Sequence, residues 1–146
     1  MNKAARYLTI LVLFAATTTA TVRAHCQIPC GIYDDQMRIH MMKEHVTTIE
    51  KSMKKIVAAE NQNQTVRWVM NKEKHADELS EITTYYFMAQ RIKPGSEGYA
   101  VKLGQLHEIL VYSMKAKQST DLAHVEKLKT LIHDFEKSYL GENHTH

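Results

Sequence analysis

Residues 34–56 read DDQMRIHMMKEHVTTIEKSMKKI. Two aspartates come first, and apolar residues then recur at steps of three and four, the spacing that places them on one face of an α-helix. Aspartate is a favoured cap, so Asp34 and Asp35 mark where this helix begins. The apolar face consists of Ile39, Met42, Val46, Ile49, Met53 and Ile56. The pattern predicts a long amphipathic helix that needs partners to cover that face.

Three later segments have the same periodicity. Their expected limits are Gln64 or Thr65 to the helix-stopping Lys93-Pro94-Gly95, then a helix capped by Ser96, and finally Thr120 or Asp121 to Gly141. Their expected inward residues are Val69, Leu79, Ile82, Tyr86 and Ala89; Leu103, Leu106, Leu110 and Met114; and Leu122, Val125, Leu128, Ile132 and Phe135. Four such helices with short connections predict an all-α fold, an antiparallel up-and-down four-helix bundle over residues 34–141. Residues 142–146 are expected to form a flexible tail.

Residues 1–24 have the pattern of a leader peptide that is removed. Lys3 and Arg6 make a basic start, an apolar run follows, and small and polar residues lead to Ala24. The apolar run is well short of the roughly 20 residues of a membrane helix, so no membrane segment is expected in the mature form. The leader predicts an exported protein, periplasmic or secreted. A cytoplasmic protein after leader removal is the alternative, and Ala20 is a rival cleavage point.

The expected mature chain has balanced charge. The full chain of 146 residues carries 19 basic and 16 acidic side chains, and cleavage after Ala24 removes Lys3, Arg6 and Arg23 but no acid. This leaves 16 of each on 122 residues, a length that suits one domain with its own core. The chain has no cluster of Lys and Arg interleaved with aromatic residues, so the sequence gives no support for nucleic-acid binding, and that class of function is set aside.

The nine residues after the expected cleavage point, 25–33, read HCQIPCGIY. With His25 at the N-terminus, four strong donors lie within six residues: the free amine, the amide nitrogen of Cys26, and the thiolates of Cys26 and Cys30. The amine and the amide form one five-membered chelate ring, and the amide and the Cys26 thiolate form a second. These fused rings place three donors in one plane, which indicates a metal site encoded in local sequence.

The fourth donor, Cys30, can complete the plane because Pro29 restrains the loop and Gly31 permits a tight return of the backbone. Two nitrogens and two thiolates in a plane favour nickel(II) or copper(II), whereas structural zinc prefers a tetrahedron. Copper(II) tends to oxidise thiolates, so nickel is favoured as the metal that is less prone to oxidise its own ligands. The imidazole of His25 can then reach an axial position.

The string His-Cys-x-x-Pro-Cys-Gly-x-Tyr after a removable leader resembles the nickel hook of the nickel superoxide dismutase family, and every fixed position is matched. We call residues 25–33 the hook. The resemblance implies one nickel ion per subunit, bound by His25, Cys26 and Cys30, with Tyr33 over the open axial face. It also implies catalysis by His25 and Tyr33, with superoxide converted to dioxygen and hydrogen peroxide by Ni(II)/Ni(III) cycling. The family assembles as homohexamers, so a homo-oligomer is expected.

Three further residues are candidates for positions around the metal. Tyr86 is expected, with Tyr33, to order water and limit access. In the family an acidic residue on the first helix and an arginine on the second hold the axial imidazole. An approximate register places His40 and His75 there in this chain. The register thus predicts that the imidazole is positioned by different neighbours.

Two other interpretations stay open. One is an exported helical carrier that holds nickel or copper without turnover, through the hook or through the methionines and histidines of residues 37–45. The other is a local disulfide between Cys26 and Cys30 in a bundle that binds no metal. Catalysed decay of superoxide would distinguish the enzyme from both.

Overall fold

The computed structural model describes residues 31–141 of the chain. The expected leader, residues 25–30 of the hook, and the tail at 142–146 lie outside the described residues. The described elements are α1 (Asp35–Val57), α2 (Gln62–Glu81), a π-helix that continues α2 without a break (Ile82–Arg91), α3 (Tyr99–Gln118) and α4 (Leu122–Leu140). All regular structure in residues 31–141 is therefore helical, and the predicted fold class is confirmed for that part of the chain.

The helices form a closed ring. Each helix packs against the next one along the chain, and α4 packs against α1. The connections span residues 58–61, 92–98 and 119–121, which are short enough to return the chain antiparallel to the preceding helix. None of the described helices is both long and apolar enough to cross a membrane.

Side-chain caps define where three of the helices begin. Asp34 Oδ1 accepts a hydrogen bond from the Met37 amide at 2.9 Å, and Asp121 Oδ1 accepts one from the Ala123 amide at 2.9 Å. The cap of α2 is Asn61, so this helix begins at Gln62, slightly ahead of the predicted start.

The predicted cap of the third helix is wrong. Ser96 closes the preceding turn, with its hydroxyl donating to the Lys93 carbonyl at 2.8 Å. The cap is Gly98, whose φ of +66° lies in the left-handed region that favours glycine. Helix α3 therefore begins at Tyr99, three residues after the predicted cap.

The core matches the predicted apolar faces of α1 and α4 but not those of the second and third predicted helices. On α2 and the π-helix that continues it, Leu79, Ile82 and Tyr86 are buried as predicted, but Val69 and Ala89 are exposed. On α1, only Ile56 of the predicted set is not fully buried, and on α4 only Leu122 is exposed. On α3, Met114 is exposed, and the buried residues are Leu106, Ile109, Ser113 and Ala116. The second half of this face has the small residues Ser113 and Ala116, and there α3 and α2 approach closely. The Ser113 hydroxyl donates to the Ala76 carbonyl of α2 at 3.0 Å.

One lysine is buried where α3 ends. Lys72 of α2 is 4% exposed, and its ammonium donates to the carbonyls of Ala116 at 2.9 Å and Ser119 at 3.1 Å, and also to that of Lys117. The last carbonyls of a helix have no partner within the helix, and a cation there also interacts favourably with the helix dipole. Lys72 thus joins α2 to the end of α3.

Replacing Lys72 by methionine should lower the free energy of unfolding by about 2–3 kcal/mol, because buried carbonyls would lose their donor. Urea unfolding followed by circular dichroism measures this loss. The control is Lys74→Met, since the Lys74 side chain is 70% exposed and, within residues 31–141, its one ion pair is with Glu78 at 3.7 Å. Its effect should stay within about 0.5 kcal/mol. Equal unfolding midpoints for the two variants would contradict the assigned role of Lys72.

Candidate functional site

The hook enters the described structure at Gly31. Gly31 has a φ of +82°, and an added Cβ would meet no atom of the described residues within 4 Å. The left-handed backbone conformation is therefore a sufficient reason for glycine here. Two residues later, Tyr33 precedes the cap of α1, so the end of the hook is attached directly to the bundle.

Tyr33 rests on the π-helix. Its ring meets the ring of Tyr86 edge to face, with centroids 5.9 Å apart, and the guanidinium carbon of Arg91 lies 4.3 Å from its centroid. Its hydroxyl donates to Gln90 Oε1 at 3.4 Å. Tyr33 stays 40% exposed whereas Tyr86 is fully buried. One side of Tyr33 is thus supported by the bundle, and the rest is accessible.

Behind Tyr33, the carboxylate of Asp35 joins three elements. Asp35 Oδ1 accepts from the Tyr86 hydroxyl at 2.6 Å and from Arg91 Nε at 2.9 Å. Asp35 Oδ2 accepts from Arg91 Nη2 at 2.6 Å and from the hydroxyl of Tyr139 on α4 at 2.8 Å. Bidentate pairing of arginine with a carboxylate is strong and directional. The two groups that support Tyr33 are therefore held by a single carboxylate.

The network changes how its members titrate. Burial alone would raise the pKa of Asp35, but the hydrogen bonds from Arg91, Tyr86 and Tyr139 outweigh it, so this pKa lies below its usual value. Burial, followed by the hydrogen bond to Asp35, raises the pKa of Tyr86 and raises that of Tyr139 to about 12. At neutral pH the carboxylate is therefore ionised and both phenols remain protonated donors.

The π-helix explains how Tyr86 and Arg91 reach the same carboxylate. They are five residues apart, and in an α-helix this spacing would separate their directions by about 140°. Hydrogen bonds from residue i to residue i+5 bring positions five apart back to one face. The Ile92 amide, bonded to the Phe87 carbonyl at 2.9 Å, shows this pattern. The widened turn is thus what aligns Tyr86 with Arg91.

Replacing Asp35 by asparagine should lower the free energy of unfolding at neutral pH by about 2–3 kcal/mol, because Arg91 loses its charged acceptor. The folded-state pKa of Asp35 is depressed, so its stabilisation is complete above the ordinary value of 3.8 and is lost as the pH falls through the lowered value. The difference between the parent and the variant should shrink over that range in urea titrations. Asp34→Asn is the control, since asparagine caps a helix as well as aspartate does. A difference independent of pH would refute this assignment.

The structure places the two histidines predicted near the metal on α1 and α2. His40 is exposed on α1, with Nε2 3.4 Å from Glu44 Oε1. His75 is on α2, where its Nδ1 lies 2.9 Å from Nδ1 of His45 on α1. His40 and His75 line one surface recess together with His45. Because residues 25–30 lie outside the described residues, any contact of these histidines with His25 stays a prediction.

Sequence reasoning did not find Arg91, Gln90 or Tyr139, and it treated Asp35 only as a cap. The three missed residues lie far along the chain from the hook, and a period based on the α-helix does not align Tyr86 with Arg91. The one available signal was an arginine two residues after the aromatic and apolar run that ends at Ala89, since residues 82–92 read ITTYYFMAQRI.

A family model and a solved structure both agree with the resemblance to nickel superoxide dismutases. Residues 20–143 match the family model described as nickel-containing superoxide dismutase. A crystal structure described as a Ni-containing superoxide dismutase, with Ni-ligation corresponding to the state after partial X-ray-induced reduction, is similar with a TM-score of 0.63. The two chains are 23% identical, and the match covers 83% of this chain and 100% of that one. At this identity the likeness concerns the fold. Curated proteins gave no match.

The four-helix fold and the family match define an oxidoreductase built on a helical bundle. The match spans most of the chain, and the chain belongs to the nickel-containing superoxide dismutase family. It is a nickel-dependent enzyme whose substrate is superoxide and whose products are dioxygen and hydrogen peroxide. The alternative of a carrier without turnover is not favoured by this result.

Proposed function

We propose that the dismutase activity resides in the hook of a chain processed to begin at His25, with one nickel ion per subunit. His25 supplies its amine and imidazole, Cys26 its amide nitrogen and thiolate, and Cys30 a second thiolate. The observation that supports this assignment is the packing of Tyr33 against the bundle. The last residue of the hook packs on Tyr86 and Arg91, both of which are held by Asp35.

The chemistry of the donor set fits nickel. Thiolates and a deprotonated amide are strong anionic donors, and a single nickel ion can be bound by all of them. When bound, nickel would supply one-electron chemistry between its second and third oxidation states. Both thiolates of the chain, Cys26 and Cys30, are in the hook, so ligation would also protect them from oxidation by superoxide and peroxide.

The bundle contributes position and access. Tyr33 is partly exposed at the end of the hook, so we assign it the role of limiting approach to the nickel that the hook would hold and of ordering water there. Tyr86 is buried with its hydroxyl committed to Asp35, and its raised pKa keeps the proton in place. These properties support Tyr86 as a positioning residue that holds Tyr33, in place of the expected role in ordering water.

We also propose that the subunits assemble as homohexamers. Apolar side chains are exposed on the first half of α2, where Val66 is 56% and Met70 is 66% exposed, and at Ile32 within the hook. Covering such surfaces is a common reason for oligomerisation. Light scattering on the processed protein should give the mass of six chains. Val66→Glu with Met70→Glu should reduce that mass. Glu81→Gln, at the exposed last residue of α2 and away from Val66 and Met70 along the helix, should not.

Intact mass spectrometry of protein purified from its native host without chelators tests the site assignment. The expected mass begins at His25, with reduced cysteines and one nickel, and the same sample should accelerate superoxide decay. A disulfide between Cys26 and Cys30 in an active sample would overturn the ligand set. Cell fractionation tests the export that residues 1–24 predict, and mature protein confined to the cytoplasm would contradict it.

A further inference from the structure

A second group of potential metal ligands lies between α1 and α2. His45 comes from α1, and His75 and Glu78 come from α2. The two histidine Nδ1 atoms are 2.9 Å apart, and Glu78 Oε2 is 3.5 Å from His45 Nδ1 and 3.4 Å from His75 Nδ1. Three donor atoms from two helices thus form a nearly equilateral triangle.

The size of this triangle matches one face of a metal coordination tetrahedron. Zinc binds histidine nitrogen and carboxylate oxygen at about 2.0–2.1 Å, and in a tetrahedron such bonds place the ligand atoms about 3.3 Å apart. The three measured separations are 2.9, 3.4 and 3.5 Å. One ion can therefore contact all three atoms with shifts of a few tenths of an ångström.

The surroundings hold these side chains in place and keep them available as ligands. His75 and Glu78 are three residues apart and share one face of α2, and α1 packs closely against α2 at this point. The His45 side chain is 12% exposed. Burial lowers the pKa of His45, although the Glu78 carboxylate opposes this effect, and a lowered pKa favours the neutral imidazole that binds metal.

The group lies away from the point where the hook joins the bundle. His45 lies ten residues beyond Asp35 on α1, and a rise of 1.5 Å per residue places it about 15 Å further along the axis. Its donors are two nitrogens and one oxygen, whereas both cysteines of the chain belong to the hook. Imidazole and carboxylate without thiolate suit zinc.

We propose that His45, His75 and Glu78 bind a zinc ion that fastens α1 to α2. Three protein ligands leave the fourth position for water, on the side of the surface recess that Lys43 and Thr47 also line. This site does not depend on nickel in the hook or on the dismutase reaction.

The test uses the full chain with Cys26→Ser and Cys30→Ser, which removes the thiolates but leaves the bundle intact. Calorimetric titration with zinc chloride should show one equivalent bound, and zinc should raise the melting temperature. Cobalt(II) should give the visible absorption of a tetrahedral ion without thiolate charge-transfer bands. Absence of zinc binding at one equivalent, or a cobalt spectrum typical of six oxygen ligands, would overturn the proposal.

Variants in the same background locate the ion. His75→Ala and Glu78→Gln should each weaken zinc binding by at least about 100-fold, because losing a residue that merely hydrogen-bonds a ligand already costs roughly 10–100-fold and these two are direct ligands. His40→Ala is the matched control, because His40 lines the same recess but is absent from the triangle, and it should bind zinc unchanged. Equal affinity of the His75 and His40 variants would place the ion elsewhere and refute the site. Circular dichroism checks that each variant is folded, and the cobalt spectrum tests the site without any change to its ligands.

Discussion

Replacing Cys26 or Cys30 by serine is expected to abolish superoxide dismutation, with a loss of more than about 1,000-fold in kcat/KM. A serine hydroxyl remains protonated at neutral pH and is a poor ligand for nickel, whereas a thiolate is a strong anionic donor. A loss of this size corresponds to more than about 4 kcal/mol in the activation free energy. Pulse radiolysis or stopped-flow decay of superoxide measures the rate, and elemental analysis measures the nickel content.

The serine variants should keep the fold, because the four helices and their core lie within residues 35–140. Their circular dichroism and unfolding midpoints should therefore match those of the parent. Ile28→Ala is the control inside the hook, since the family pattern leaves that position variable. A serine variant that retains both nickel and full activity would show that the thiolates are not ligands.

A single residue retained ahead of His25 should cause a loss of similar size. The N-terminal amine would then be part of a peptide bond, and an amide in its place cannot supply the same donor to the first chelate ring. The comparison is between a chain that begins at Ala24 and one that begins at His25, each supplied with nickel under reducing conditions. Superoxide decay and nickel content are measured on both.

Protease removal of the extra residue from the first chain should restore nickel binding and activity, which controls for misfolding. The helical content should be the same before and after cleavage. Full activity of the chain that keeps Ala24 would mean that the amine is not a ligand, and the proposed coordination would then be wrong.

Local sequence predicts most of the fold. The face of α1 from Ile39 to Met53 is buried as its periodicity indicates, and Asp34 caps the helix. Prediction fails on α3, where Leu103 and Met114 were expected inside. There, the close approach of Ser113 to Ala76 favours small residues at the contact. Hydrophobic periodicity does not reveal how closely two helices approach each other.

Some residues of the candidate site can likewise be proposed from sequence, and others cannot. His25, Cys26 and Cys30 can be proposed from sequence because chelation by neighbouring donors is a local property. The support of Tyr33 by Arg91 cannot be predicted, because it depends on a π-helix and on a carboxylate 56 residues away. Only the tertiary structure shows that His75 contacts His45, and its predicted place near the metal stays a prediction because residues 25–30 lie outside the described residues.

By itself, the sequence determined the helical periodicity, the family and a proposed set of nickel donors, since each of these depends on residues close together along the chain. Only the tertiary structure decided what Tyr33 rests on and which histidines meet. Contacts between helices depend on how their faces rotate and approach, and a change of one residue per turn in the π-helix redirects the side chains of Tyr86 and Arg91. The triangle of His45, His75 and Glu78 likewise exists only because α1 and α2 pack together.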